Sequence, residues 1–329
     1  MRYNKIMNNL IVKVFLLCVF FFAATTCVHA QESFPGSLSI SSSPEYPRPG
    51  EPVTLEVRAS RFDIDRAEIR WIVNGETRQQ GVGNDTFTLQ APQKGSEQVV
   101  SVTVTTPDDR VGTTRITIKP QSVDIIWEAK TYTPPWYKGK ALYTNDSTIT
   151  FTAMPEITTA SGNTVSTSEL FYQWERNGTT LSERGVGKQS VSIPVIRGYN
   201  NIGVTVETLD GKYKAYKEIT VNESKPKLLL YESDSLYGLL FEKALQTQFT
   251  FDTNESSFTV IPYFFSATTM NSGFINYAWE LNNEPIDTFG NRETFRNESG
   301  TSGSAHVHIS AKHTSSLLQE DDVELMLSF

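Results

Sequence analysis

Cysteine is almost missing: the 329-residue chain has two, Cys18 and Cys27, and both fall within its first thirty residues. Those thirty read as a secretory signal peptide. Arg2, Lys5 and Lys13 precede an apolar run from Val14 to Ala24, and Val28-His29-Ala30 offers small or branched residues for cleavage. The run is too short for a comfortable bilayer span. A mature chain starting near Gln31 is then cysteine-free, which excludes disulfides even in an oxidising compartment. Each folded unit must hold on its apolar core alone, which about 100 residues can manage.

Positive charge is also scarce. Lys and Arg number 29 against 37 Asp and Glu, for a formal charge of -8, and losing Arg2, Lys5 and Lys13 with the leader makes it about -11. Without a basic stripe, nucleic acid and anionic membrane surfaces are poor partners. No second apolar run is long enough to span a bilayer, so the protein is expected to be secreted, extracellular or held in the envelope, periplasm included.

Catalytic side chains are sparse as well. Outside the leader the histidines are His306, His308 and His313. His306 and His308 share one face of a predicted strand, about 6.5 Å apart, and are weak metal candidates if Asp322 or Glu324 lies opposite. Two ligands do not make a site. There is no G-x-S-x-G or H-E-x-x-H, and "RGVGKQS" (184–190) lacks the first glycine of a phosphate loop, having Ser182 there. Its glycines recur at Gly81 and Gly83, which marks a turn. The expectation is a non-enzyme with no cofactor; calcium is the one ion kept in view, because it stiffens tandem extracellular sandwiches.

What is present is a repeat. "EIRWIVNGETRQQGVG" runs from Glu68, "FYQWERNGTTLSERGVG" from Phe171 and "NYAWELNNEPIDTFGN" from Asn276, with Trp71, Trp174 and Trp279 spaced by 103 and 105 residues. Upstream, "EPVTLEV" (51–57), "STITFTA" (147–153) and "SSFTVIP" (256–262) alternate apolar and polar residues as half-buried strands do. Downstream, each repeat has a strand pair, and Asn74-Gly75 and Asn177-Gly178 suit type I′ hairpin turns. The fold class is all-β: three tandem antiparallel sandwiches at 31–121, 122–224 and a divergent 225–329, after a signal peptide at 1–30. Trp71, Trp174 and Trp279 are expected in their cores.

The order of features, from "PRPGEPVTL" (47–55) through W-x-x-N-G to the final hairpin, resembles bacterial Ig-like or PKD-like surface modules. That resemblance implies spacer, adhesion or protein-interaction roles on a cell surface, usually without catalysis; the expected partner is another surface protein or a glycan.

"WEAKTYTPPWYKGKALY" (127–143) is the remaining concentration of chemistry. Its counterpart is "LLLYESDSLYGLLFEKALQTQF" (228–249), matching Tyr231-Glu232 to Trp127-Glu128. An aromatic insertion at each module boundary is expected to wedge neighbouring sandwiches. The alternative is a carbohydrate platform of Tyr132, Trp136 and Tyr137.

Overall fold

The computed structural model describes residues 38–194, 198, 200–288 and 290–329. The expected signal peptide lies outside the described residues, as do Cys18 and Cys27. The whole chain is therefore not cysteine-free; the term fits only the sequence from Gln31 onward. All elements among the described residues are strands except two single-turn 3-10 helices, Ile64–Arg66 and Thr167–Glu169. None of these residues forms a helix long and apolar enough to cross a membrane.

The described residues divide into two compact units, one of 38–42, 54–88 and 99–117, the other of 43–53, 89–98 and 118–329. In the first, Trp71 of strand Glu68–Val73 is fully buried. Its ring stacks on Phe87 at 5.6 Å, and its Nε1 donates to the Asn84 carbonyl at 2.9 Å.

The second unit contains two apolar cores. One lies among the sheets Ser190–Pro194, Thr148–Glu156, Ser122–Ala129 and Thr179–Val186, Phe171–Arg176, Asn200–Glu207, Lys214–Val221, and is centred on Phe151, Tyr172 and Trp174. The other lies among Gly238–Leu239, Lys227–Asp234, Glu255–Tyr263, Arg292–Arg296 and Gln248–Thr250, Glu320–Ser328, Ser304–His313, Ile275–Leu281, Glu284–Ile286, and is centred on Phe258, Val260 and Trp279. Gln248–Thr250 runs parallel to its neighbour; the neighbouring strands of this second core otherwise pair antiparallel.

Alternation explains the strands. In Thr148–Glu156, Ile149, Phe151 and Ala153 are fully buried, while Thr150 and Thr152 face out and pair with the hydroxyls of Ser192 and Ser190. The hairpin turns have positive φ at both central residues: 49° and 89° at Asn74-Gly75, 48° and 75° at Asn177-Gly178, and 52° and 66° at Asn282-Asn283, as a type I′ turn requires.

One device recurs. Trp174 Nε1 donates to the Lys188 carbonyl at 3.0 Å and Trp279 Nε1 to that of Gly290 at 2.9 Å, as Trp71 does to Asn84. Gly83 and Gly187, just before two of these acceptors, sit at φ 70°, and a Cβ on Gly83 would lie 2.9 Å from the Asp65 carbonyl oxygen. The glycine pair is a turn closing the chain over the indole. One residue after each acceptor, a carbonyl receives a strand amide: Val57 to Asp85, Ala153 to Gln189 and Val260 to Asn291. Val57, Ala153 and Val260 are thus equivalent, which sets the register between repeats.

Candidate interaction surface

The 127–143 stretch is tethered to the Trp174 sandwich at both ends. Trp127 sits opposite Phe151 and edge-on to Tyr143, with ring centroids 6.5 Å apart. Lys140 Nζ lies 3.3 Å above the Trp127 ring, a cation-π contact. Loss of solvent lowers the Lys140 pKa, with Glu128 opposing. Tyr143 Oη donates to the Val221 carbonyl at 3.1 Å and accepts from Asn200 Nδ2 at 3.3 Å.

Between its ends the stretch grips the strands around Trp279. Tyr132 N donates to the Phe265 carbonyl at 2.7 Å and Phe264 N returns a bond to the Tyr132 carbonyl at 2.8 Å, a short backbone pairing that leaves Tyr132 only 9% exposed. Burial raises the Tyr132 phenol pKa, helped by nearby Tyr263. Half-buried Tyr137 meets Tyr263 and Phe264 edge-on at 5.6 and 5.7 Å, and half-buried Trp136 stacks on Phe241 at 5.2 Å. Tyr132 belongs to the Trp279 core, with Trp136, Tyr137 and Leu142 packed against it. Thr144 Oγ1 adds a bond to the Phe264 carbonyl at 2.8 Å, Ser316 Oγ donates to Asp146 Oδ2 at 2.8 Å, and the fully buried Gln319 donates to the Asn145 carbonyl.

The receiving residues Phe241, Tyr263, Phe264, Phe265 and Gln319 were not among those expected from sequence. Their signal was a failure of alternation: "FTVIPYFF" (258–265) is apolar almost throughout, and every residue from Phe258 to Phe265 is buried. A strand apolar on both faces needs a cover on both. Here the second cover comes from 127–143.

The expected match of Tyr231 to Trp127 is off by one residue. Ile125 pairs with Ala153 and Leu230 with Val260, so Trp127 corresponds to Glu232. Tyr231 points to the opposite face, its Oη 3.1 Å from that of Tyr263. Nor does the counterpart bridge to a following module among the described residues. Leu240 N bonds to the Glu232 carbonyl and Leu245 N to that of Leu230, folding the segment back along its own first strand.

His308 lies opposite Glu324 in the register. Its ring nitrogens are 3.4 Å from Glu280 and 3.7 Å from Asp322, and His306 is 3.6 Å from Glu324. Among the described residues no His, Cys, Asp or Glu group is arranged to hold a metal ion. His313 Nδ1 accepts from the amides of Ser315 and Ser316 at 3.2 and 3.1 Å, while Nε2 faces the Ser266 carbonyl at 3.0 Å. Both nitrogens are committed to backbone, leaving no lone pair to activate the Ser315 hydroxyl 3.4 Å away. These are packing and surface contacts.

Fold and site together define an all-β chain of repeated antiparallel β-sandwich units. No protein-family model matches it, and no curated protein does. Among solved structures it is similar to three N-terminal domains of the highly immunogenic outer capsid protein (Hoc) of bacteriophage RB49, at 11% identity over 88% of this chain and 97% of that one, TM-score 0.27. It is also similar to the central fibronectin-III array of RIM-binding protein, at 13% identity over 87% and 95%, TM-score 0.28. A structure bearing on host cell surface retention of a 1.5-MDa bacterial ice-binding adhesin matches at 11% identity over 90% and 98%, TM-score 0.24. Likenesses at such scores extend no function to this chain.

Proposed function

We propose that the protein is a secreted or envelope-associated array of three sandwiches, 31–121, 122–224 and 225–329, following a leader cleaved near residue 30. It acts as an adhesion, spacer or assembly component and performs no reaction. The 127–143 stretch is the clamp that holds the second and third sandwiches in fixed orientation. The pairing of Tyr132 with Phe264 and Phe265, flanked by the Trp136 and Tyr137 ring contacts, carries this reading. Fixed spacing is what a surface array needs in order to present a distant contact, whether that contact is a protein or a glycan.

A glycan platform on the same rings ranks below the clamp, because stacking on a sugar needs an open ring face. Tyr132 is nearly buried and Trp136 lies against Phe241. The deciding test is small-angle scattering of the mature chain and of Trp136→Ala/Tyr137→Ala. A larger radius of gyration and greater flexibility in the variant support the clamp. An unchanged profile, with saturable glycan binding that is lost in the variant, would replace it with the platform.

A further inference from the structure

A cleft of about 620 Å³ is lined entirely by residues of the second compact unit. That volume is within the span of about 300–1,000 Å³ usual for small-ligand sites. Its floor is the outer face of the sheet that carries Trp174, where polar side chains alternate with the buried Val204, Val206 and Ala215. Across this face the register sets Glu175, Gly203 and Glu218 in one row, and Thr205 beside Tyr216 in the next. Gly203 makes the arrangement possible, because a Cβ there would lie 2.7 Å from Cγ of Glu175 and 2.9 Å from Oη of Tyr216. Over the bare middle strand, Tyr216 Oη donates to Glu175 Oε1 at 2.6 Å and stands 3.3 Å from Glu218 Oε2. One proton cannot serve two carboxylates at once, so Glu218 keeps acceptor capacity. Loss of solvent, then the bond to Glu175, raise the Tyr216 pKa, and the phenol stays protonated at neutral pH. Tyr46 supplies a second ring: its centroid is 6.4 Å from that of Tyr216 with the planes 46° apart, and both rings line the cleft.

We propose that this cleft binds a neutral oligosaccharide, seated on Tyr46 and Tyr216 with Glu175 and Glu218 accepting from its hydroxyls. The charges select the class. Glu45, Glu51, Glu175 and Glu218 line the cleft against Arg48 and Lys217, which disfavours a phosphate, a sulfate or a uronic acid. A cationic side chain meets a different obstacle: the Lys214 ammonium, paired to Glu207 at 3.2 Å, already stands 5.3 Å from the Tyr46 ring centre, and like charges brought together in a contact are repelled. A neutral polyol meets neither objection. Its hydroxyls donate to the two carboxylates in charge-assisted bonds and exchange bonds with the Thr205 hydroxyl. Its C–H faces, slightly positive, lie on the negative faces of the tyrosine rings. The site is separate from Tyr132, Trp136 and Tyr137, so the proposal goes beyond the clamp and does not rest on it.

Titration calorimetry of the mature protein is the test, with cellohexaose, xylohexaose, mannohexaose and maltohexaose as neutral probes, and hexagalacturonate and hexalysine as charged ones. Saturable binding of at least one neutral probe and of neither charged one is expected. Tyr46→Ala and Glu218→Gln should each weaken it by about tenfold or more. Thermal melts accompany both variants; Glu218 is exposed, so its substitution decides alone if Tyr46→Ala fails to fold. No binding of any neutral probe, preference for a charged one, or affinity indifferent to Glu218→Gln would overturn the proposal. Trp136→Ala/Tyr137→Ala should leave the affinity unchanged, which separates failure of this site from failure of the clamp; loss of binding in that variant would move the site to 127–143 and overturn the assignment.

Discussion

Each repeat tryptophan contributes in two separable ways: it fills the core, and its N–H satisfies a carbonyl that the glycine turn brings over it. Trp174→Phe keeps most of the ring but leaves the Lys188 carbonyl without its donor. The bond is part-buried, so its loss should cost no more than the about 1–3 kcal/mol of a fully buried acceptor left unpaired. Trp174→Ala also opens a cavity and should cost about 3–5 kcal/mol, a large share of the about 5–15 kcal/mol that holds a domain together. Denaturant midpoints of the two variants should fall in that order, and equal shifts would show that the N–H bond contributes nothing. Asp321 supplies a pH-dependent case. Burial raises its pKa above the ordinary 3.8, with the amide of Leu228, 2.7 Å away, as the main opposition. A carboxyl with a raised folded pKa favours folding while protonated, and that contribution is lost as pH rises from the unfolded value through the folded one. Asp321→Asn retains an acceptor and cannot ionise. Its stability relative to wild type should therefore increase from about pH 4 to about pH 7, as read by thermal melts; a constant difference would assign the shift no energetic weight.

The strands were legible wherever one face is solvated, and obscure where both are covered. "TITFTAMPE" alternates and reads as a half-buried strand; "FTVIPYFF" does not, and its meaning lies in a segment more than 100 residues earlier. No local pattern states that Tyr137 covers Tyr263. The aromatic stretch itself stood out by composition, which is why Tyr132, Trp136 and Tyr137 were found and their seats were not. Chemical likeness misled at Tyr231-Glu232, where an aromatic beside a glutamate copied Trp127-Glu128 one residue out of step. Only the hydrogen-bond register, a relation between strands, corrects that. Within the clamp, Gly139 is the point of closest tolerance: a Cβ there would lie 2.4 Å from Cζ and Oη of Tyr137. Gly139→Ala should push that ring off Tyr263 and Phe264 and speed amide exchange at Tyr132 and Phe264, while amides beside Trp174 and Trp279 keep their protection. Faster exchange throughout would mean that the glycine supports the fold as a whole.

At the scale of the molecule, the question is whether an acidic chain fixes its modules with apolar contacts or with calcium. Carboxylates are plentiful, and two of those near the clamp are already occupied. Asp146 accepts from Ser316 and Asp321 from Leu228, and among the described residues no cluster of three or more His, Cys, Asp or Glu is placed to hold an ion. The clamp relies on ring stacking and backbone pairing, which do not depend on ionic strength in the way that exposed ion pairs do. The scattering profile of the mature chain should therefore be the same in millimolar calcium as in excess chelator, and the same at high salt, while Trp136→Ala/Tyr137→Ala loosens it under all three conditions. A profile that stiffens only with calcium would move the source of rigidity from the aromatic stretch to an ion, and 127–143 would then be a packing element without control over spacing. Indifference to calcium together with sensitivity to two rings would show that the spacing of the second and third sandwiches is written in Trp136, Tyr137 and the apolar strand they cover.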